Sequence, residues 1–130
     1  MEKWHSYEEL NIDVYEITSY VGSIAIASIN FTAKDKSKHT LFFENVLSLK
    51  YTTENGFINR LYNVPREVLR SNRIFVVEDS EYLKDFEYEV SGTIPIDDVR
   101  HFIIFDTIDT GIEILTTHKP ILDLGTDYDE

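Results

Sequence analysis

Thr40-Leu41-Phe42-Phe43-Glu44-Asn45-Val46-Leu47-Ser48-Leu49-Lys50-Tyr51-Thr52 is the stretch whose reading decides the fold. With a period of two, Leu41, Phe43, Leu47, Leu49 and Tyr51 share one face. Glu44, Ser48 and Lys50 fall on the other, together with Phe42 and Val46. That is a long strand. Asn45 interrupts its apolar face, so a bulge is expected at Glu44-Asn45. Asn55-Gly56 is the strongest hairpin signal in the chain, and it predicts a returning strand from Phe57 to Tyr62.

The same pattern extends in both directions. Upstream, Ser6 and Glu9 fit a capping box for one helical turn over 6–10. Ile12 to Val21 and Ser23 to Phe31 read as strands joined by a type II′ turn at Gly22-Ser23. Ile24-Ala25-Ile26-Ala27 is apolar on both faces, which suggests a central strand against which something bulky packs. Downstream, Asn63-Val64-Pro65-Arg66-Glu67 opens a short helix that ends by Asn72. Arg73 to Val77 is a strand, and Ser80 caps a helical turn through Phe86. Glu87 to Ile94 reads as a strand ended by Pro95. Val99 to Phe105 and Ile112 to Thr116 form a last hairpin, with Gly111 where its loop closes.

Composition agrees. Ile, Val, Thr, Phe, Tyr and Trp supply 52 of 130 residues, against three alanines and no glutamine. The expectation is a mainly β chain. It is a single domain over 1–130, an antiparallel sandwich or partly open barrel of seven or eight strands with one or two short helices. Residues 126–130 are expected to form a flexible tail. Tyr15, Tyr20, Phe42, Phe43, Phe57, Phe75, Phe102 and Phe105 fall in strand patterns, and the core is the expectation for most of them.

Charge excludes several function classes. Lys and Arg number 12 against 24 Asp and Glu, a formal net charge of −12. A binder of nucleic-acid backbone or of an anionic membrane surface needs the opposite sign. With no cysteine, disulfides, thiol catalysis and cysteine-ligated metals are excluded. The start, Met1-Glu2-Lys3-Trp4-His5, has no apolar run of the signal-peptide kind, so a cytoplasmic protein is the expectation.

Motifs for catalysis are missing. There is no Walker loop, G-x-G-x-x-G, H-E-x-x-H or G-x-S-x-G, so no catalytic residue and no cofactor is assigned. Asp97, Asp98 and His101 would form a metal or catalytic cluster only if they converged; the plainer assignment is a solvated turn before a strand. Asp123, Asp127, Asp129 and Glu130 do not follow the EF-hand order, and no metal is expected there. Asn30-Phe31-Thr32 matches the glycosylation triplet without a secretory context.

The charge is unevenly distributed. Residues 1–65 carry six bases and eight acids, whereas 66–130 carry six bases and sixteen acids. Between Glu78 and Glu113 lie eleven acids and only Lys84 and Arg100. A concentrated field of one sign selects and steers oppositely charged partners, here a basic protein.

Val77-Glu78-Asp79-Ser80-Glu81-Tyr82-Leu83-Lys84-Asp85-Phe86, Arg100-His101-Phe102-Ile103-Ile104-Phe105-Asp106 and Gly111-Ile112-Glu113-Ile114-Leu115-Thr116 together carry a resemblance. This pattern, about a third of the chain, is similar to small acidic bacterial immunity-type proteins, which neutralise a cognate toxin. The resemblance implies a stoichiometric inhibitor and transfers no active-site residue. On charge and loop position, the expected partner contacts are Glu78, Asp79, Glu81, Tyr82, Asp85, Glu87, Asp106 and Asp109. The rival readings are a small-ligand-binding β-barrel with space at Ala25 and Ala27, an enzyme built on Asp97, Asp98 and His101, and a structural subunit pairing through an open sheet edge.

Overall fold

A computed structural model describes residues 2–123. The chain is mainly β, with 45% strand and 18% helix. Its strands are β1 (Lys3–Ser6), β2 (Glu16–Ser23), β3 (Ile26–Thr32), β4 (Lys38–Glu44), β5 (Val46–Thr53), β6 (Ile74–Glu78), β7 (Arg100–Phe105), β8 (Thr110–Thr116) and β9 (Ile121–Leu122). The helices are α1 (Ile58–Leu61), preceded by a 3-10 turn at Glu54–Phe57, α2 (Arg66–Ser71) and α3 (Glu81–Val90).

Two antiparallel sheets result. One has the order β1-β6-β7-β8-β5 and the other β2-β3-β4-β9. Ile29, Phe31, Leu41 and Phe43 of the smaller sheet meet Ile74, Phe102, Ile104, Ile112 and Ile114 of the larger one in the core between them. The architecture is a sandwich, with no closed barrel. The described residues hold nine strands and three α-helices, against an expected seven or eight and one or two.

The differences have local causes. The stretch from Thr40 to Thr52 is two strands, not one. Asn45 adopts φ 48°, a left-handed conformation that asparagine tolerates, and the chain passes there from the smaller sheet into the larger. The Gly22-Ser23 turn lies two residues later than expected. Ser23 pairs with Ile26, and Ala25 takes the positive φ of 64°. Ala25 is therefore in an exposed turn rather than a central strand, and Ala27 is filled against in the core.

Asn55-Gly56 forms no hairpin; it lies in the 3-10 turn. Neither residue has the positive φ that a type I′ turn requires. The turn instead drops the Phe57 ring beneath Trp4 and Phe105, so packing overrides the local signal. Around Ser6 the chain is strand β1, followed by a single turn closed by Leu10 N donating to Tyr7 O, not a capped helix. Tyr15 and Tyr20, expected in the core, are 43% and 42% exposed. Residues 126–130 lie outside the described residues.

The larger sheet is buried on both faces. Phe102 and Ile104 of β7 face the smaller sheet, while Ile103 and Phe105 face a second cluster of Trp4, Phe57, Val64, Phe75 and Val77. Leu61 of α1 and Val68 and Leu69 of α2 cover that cluster. Two-sided burial explains the unbroken run from His101 to Phe105, which does not alternate as a half-exposed strand does. Asn72 secures the entry of the chain. Its Nδ2 donates to Tyr7 O at 3.0 Å and Leu10 O at 2.9 Å, and its Oδ1 accepts from Ile12 N at 3.0 Å and Arg73 N at 2.8 Å.

Gly111 lies under two rings. A Cβ there would sit 2.7 Å from Phe57 Cε2 and 2.9 Å from Phe105 Cε1. Gly111→Ala is expected to destabilise the fold by about 1–3 kcal/mol through overpacking. Urea denaturation measures this, and an unchanged midpoint would contradict the packing described.

Candidate functional site

Helix α3 and the residues just before it form a strongly acidic run. Glu78, Asp79, Glu81, Asp85, Glu87 and Glu89 accompany a single base, Lys84, between positions 78 and 90. Glu78 accepts from His5 at 2.8 Å, and Glu81 lies 3.6 Å from Lys84. Asp79, Asp85, Glu87 and Glu89 form no ion pair among the described residues. Tyr82, Leu83, Phe86 and Val90 fall on the inner, half-buried face of the helix. Tyr88 stands on the outer face at 81% exposure, one turn from Lys84 and Asp85.

The exposure of Tyr88 on a helix was not legible in the residues, because Glu87-Tyr88-Glu89-Val90 alternates like a strand. Helix signals were nonetheless present at both ends. Ser80 is the N-cap, its Oγ accepting from Leu83 N at 2.9 Å. Ser91 closes the helix in the left-handed conformation, its N–H bonded to Glu87 O, and Gly92 follows at φ 79°. The expected strand over 87–94 is thus the last turn of α3 and its exit.

Beneath α3 lies a polar network in an otherwise apolar layer. Glu113 of β8 is 1% exposed. Its Oε1 accepts from His101 Nε2 at 2.7 Å and from Arg60 Nη2 at 2.9 Å, and its Oε2 accepts from Arg60 Nη1 at 3.0 Å. Lys50 Nζ lies 3.9 Å from Glu113 Oε2. On the other side of the ring, Ser80 Oγ is 2.6 Å from His101 Nδ1. Arg60 Nε donates to Glu2 Oε1 at 2.7 Å, and Glu2 Oε2 accepts from the Glu81 N–H at 3.2 Å.

One proton arrangement satisfies the line. Leu83 N–H donates to Ser80 Oγ, the Ser80 hydroxyl to His101 Nδ1, and His101 Nε2–H to Glu113. Tyr82 closes the side. Its ring meets His101 edge-on at 5.3 Å, Lys50 Nζ lies 4.4 Å above it, and its hydroxyl bonds Ser48.

Burial pushes the Glu113 carboxyl up, but hydrogen bonds from His101 and Arg60 and their charge outweigh it and bring it down to about 2. Burial also raises Glu2, and Arg60 more than reverses that. For Tyr82, burial pushes the phenol up and the Glu113 charge adds to the shift, against the Ser48 hydrogen bond. Ser80, His101 and Glu113 line up in the order of a nucleophile–base–acid relay. Ser80 is only 4% exposed and its oxygen is engaged by Leu83 N–H, so this geometry caps and seats α3 rather than presenting a hydroxyl outward. A cleft of about 350 Å³ opens beside it, lined by Glu2, Lys50, Arg60, Glu81, Tyr82 and Asp85.

The expected contact residues divide into two groups. Glu78, Asp79, Glu81, Tyr82, Asp85 and Glu87 gather at α3 and the end of β6. Asp106 and Asp109 sit at the opposite end of β7, about 20 Å away along the strand. Asp106 is buried. Its Oδ1 accepts from Ile108, Asp109 and Thr110 N–H at 3.0, 3.0 and 2.9 Å, and its Oδ2 accepts from Ile17 N at 3.0 Å. It builds the β7–β8 loop and is unavailable as a contact.

Asp97 and Asp98 are exposed, whereas His101 points inward to Ser80 and Glu113, so the three do not converge. No cluster of three metal-ligating side chains occurs among the described residues, and Asp127, Asp129 and Glu130 lie outside them. Asn30 of the glycosylation triplet donates to Ser19 Oγ within the β2–β3 pair. Neither a family model, nor a curated protein, nor a solved structure matches this chain.

Stability should follow Glu113. Its carboxyl lies lower in the folded protein than its ordinary value of 4.5, so its contribution is complete above that value and fades as pH falls toward 2. Glu113→Gln is expected to cost on the order of 3–5 kcal/mol at neutral pH by leaving Arg60 and His101 without their partner. It should also flatten the loss of stability between pH 5 and about 2. Denaturation midpoints across that range test both; an acid limb as steep in Glu113→Gln as in wild type would count against the assignment.

Proposed function

We propose that the protein is a binding domain of the immunity type, which inhibits a basic toxin by covering its active site. The observation that carries this reading is the outer face of α3. There an exposed tyrosine, Tyr88, stands on the same short helix as Asp85, Glu87 and Glu89, none of which has an ion pair among the described residues. Unpaired carboxylates on one surface steer a basic partner during approach. An exposed aromatic side chain beside such carboxylates supplies the apolar contact on which tight inhibition rests. Because α3 is capped by Ser80 and anchored through His101 to Glu113, it presents this face with little ordering left to do on binding.

The polar network explains why Tyr82 is a supporting residue under this reading. Its ring and hydroxyl are turned to His101 and Ser48, so Tyr88 takes the anchoring role. The ligand-binding barrel is less well supported, because Ile29, Leu41, Phe43, Phe102, Ile104, Ile112 and Ile114 fill the space between the sheets with no exposure at all.

The test is to express the neighbouring genes one at a time, select any basic product that arrests growth, and co-express it with this chain, read as restored growth and as association rate by stopped flow. Asp85→Lys with Glu87→Lys is expected to slow association several-fold and to weaken binding by about 1–3 kcal/mol. Tyr88→Ala is expected to act mainly on dissociation, by 1 kcal/mol or more on the order of other aromatic anchors. Raising salt from about 0.1 to 1 M should erase the rate difference as the Debye length falls to about 3 Å. Reversals at Glu8 and Glu16, remote from α3, serve as controls. Equal effects at both sets, or association and affinity unchanged by the α3 changes, would refute this surface.

A further inference from the structure

The smaller sheet ends in a strand that lacks the usual guards. Residues 17–33, from Ile17 to Ala33, include no charged side chain, in a chain where 28% of residues are charged. They form most of β2, its turn and all of β3. The other edge strands are protected: β1 carries Lys3, β5 carries Lys50, and β9 has two residues. On β2 the first half is occupied, because Ile17 N–H donates to Asp106 and the register shifts between Ile17 and Ser19. Ser19 to Ser23 remain as an open edge among the described residues, with Val21 61% and Ile24 96% exposed.

This open segment is self-complementary. Ser23 and Ile26 flank a two-residue turn, so they are a hydrogen-bonded pair, and so is Val21 with Ser28 two residues back. The alternation then turns the N–H and C=O groups of Tyr20 and Gly22 outward, on either side of Val21. A second copy running antiparallel about an axis at Val21 places Tyr20 opposite Gly22 in both halves. The space beside Gly22 is empty: a Cβ there would meet nothing within 4 Å. An aromatic side chain from the facing strand suits a glycine in an edge strand. Tyr20 is already steadied by stacking on Tyr51 at 5.6 Å.

Charge selects the occupant. Two copies at −12 each repel over most of their surfaces, and this uncharged hairpin is where the repulsion is least. A basic partner has no carboxylate to meet here.

We infer that β2 pairs with β2 of a second copy of this chain, with Val21 opposite Val21 and Tyr20 opposite Gly22, joining two four-stranded sheets into one of eight. Helix α3 packs over the larger sheet, so the two surfaces do not compete.

Sedimentation equilibrium of the full chain tests this. A dimer is expected to accumulate as protein concentration rises, and added salt should strengthen it by screening the like charges. Gly22→Pro removes an outward N–H that serves no bond within one copy, and Val21→Lys sets two cations face to face. Each is expected to leave the circular dichroism spectrum unchanged and to abolish the dimer. Amide exchange at Tyr20 and Gly22 should slow with concentration in the wild type only. A wild type that is monomeric throughout, or a folded Val21→Lys variant that dimerises normally, would overturn the inference; should Gly22→Pro not fold, Val21→Lys decides. Asp85→Lys with Glu87→Lys should leave the dimer intact, which separates this outcome from the fate of the α3 surface.

Discussion

A buried carboxylate governs how the helices lie on this sandwich. Glu113 points out of the larger sheet into a layer otherwise made of rings and aliphatic chains, and it stays ionised there because Arg60 and His101 both donate to it. Arg60 belongs to α1, and His101 passes the constraint through Ser80 to the first turn of α3. One side chain therefore fixes two helices. Apolar residues of equal volume would hold these elements comparably well, since desolvating an ion pair consumes much of what it returns. They would lack direction. Hydrogen bonds set where Ser80 sits, and with it the start and orientation of the acidic helix.

The sheet that carries Glu113 is covered on both sides, and this divides the molecule by chemistry. Its inner face meets the smaller sheet, and its outer face meets α1, α2 and α3. Carboxylates collect on α3, where every outward position faces solvent. Among the described residues no helix packs over the smaller sheet, and its β2–β3 hairpin is uncharged from Ile17 onward. The two ends of β7 are also unlike. One adjoins the acidic helix, while at the other Asp106 spends both oxygens on backbone N–H groups.

Much of the architecture was legible in the residues. A period-two pattern found the two halves of the Thr40–Thr52 stretch, runs of β-favouring residues marked β6, β7 and β8, and Pro65 and Ser80 marked real helix starts. Local signals failed where packing outweighed them. Asn55-Gly56 predicted a hairpin, but burying Phe57 against Trp4 and Phe105 gains more than a turn preference can. Glu87 to Val90 alternated like a strand, but Ser80 had already started a helix that runs to the left-handed Ser91.

The candidate site divides in the same way. Composition and charge spacing by themselves determined a mainly β chain with a strongly acidic region after Glu78, because side-chain period and net charge are properties of the chain. Which acids share a surface is a property of the fold. Six of the eight residues chosen on charge gather at α3 and the end of β6, whereas Asp106 and Asp109 lie a strand's length away. Burial likewise could not be read from one dimension. Glu113 and His101 are separated by a loop, and Arg60 and Glu2 lie far from both in sequence. Only strand pairing, which sets β7 beside β8 and carries α1 over them, brings their charges within bonding distance.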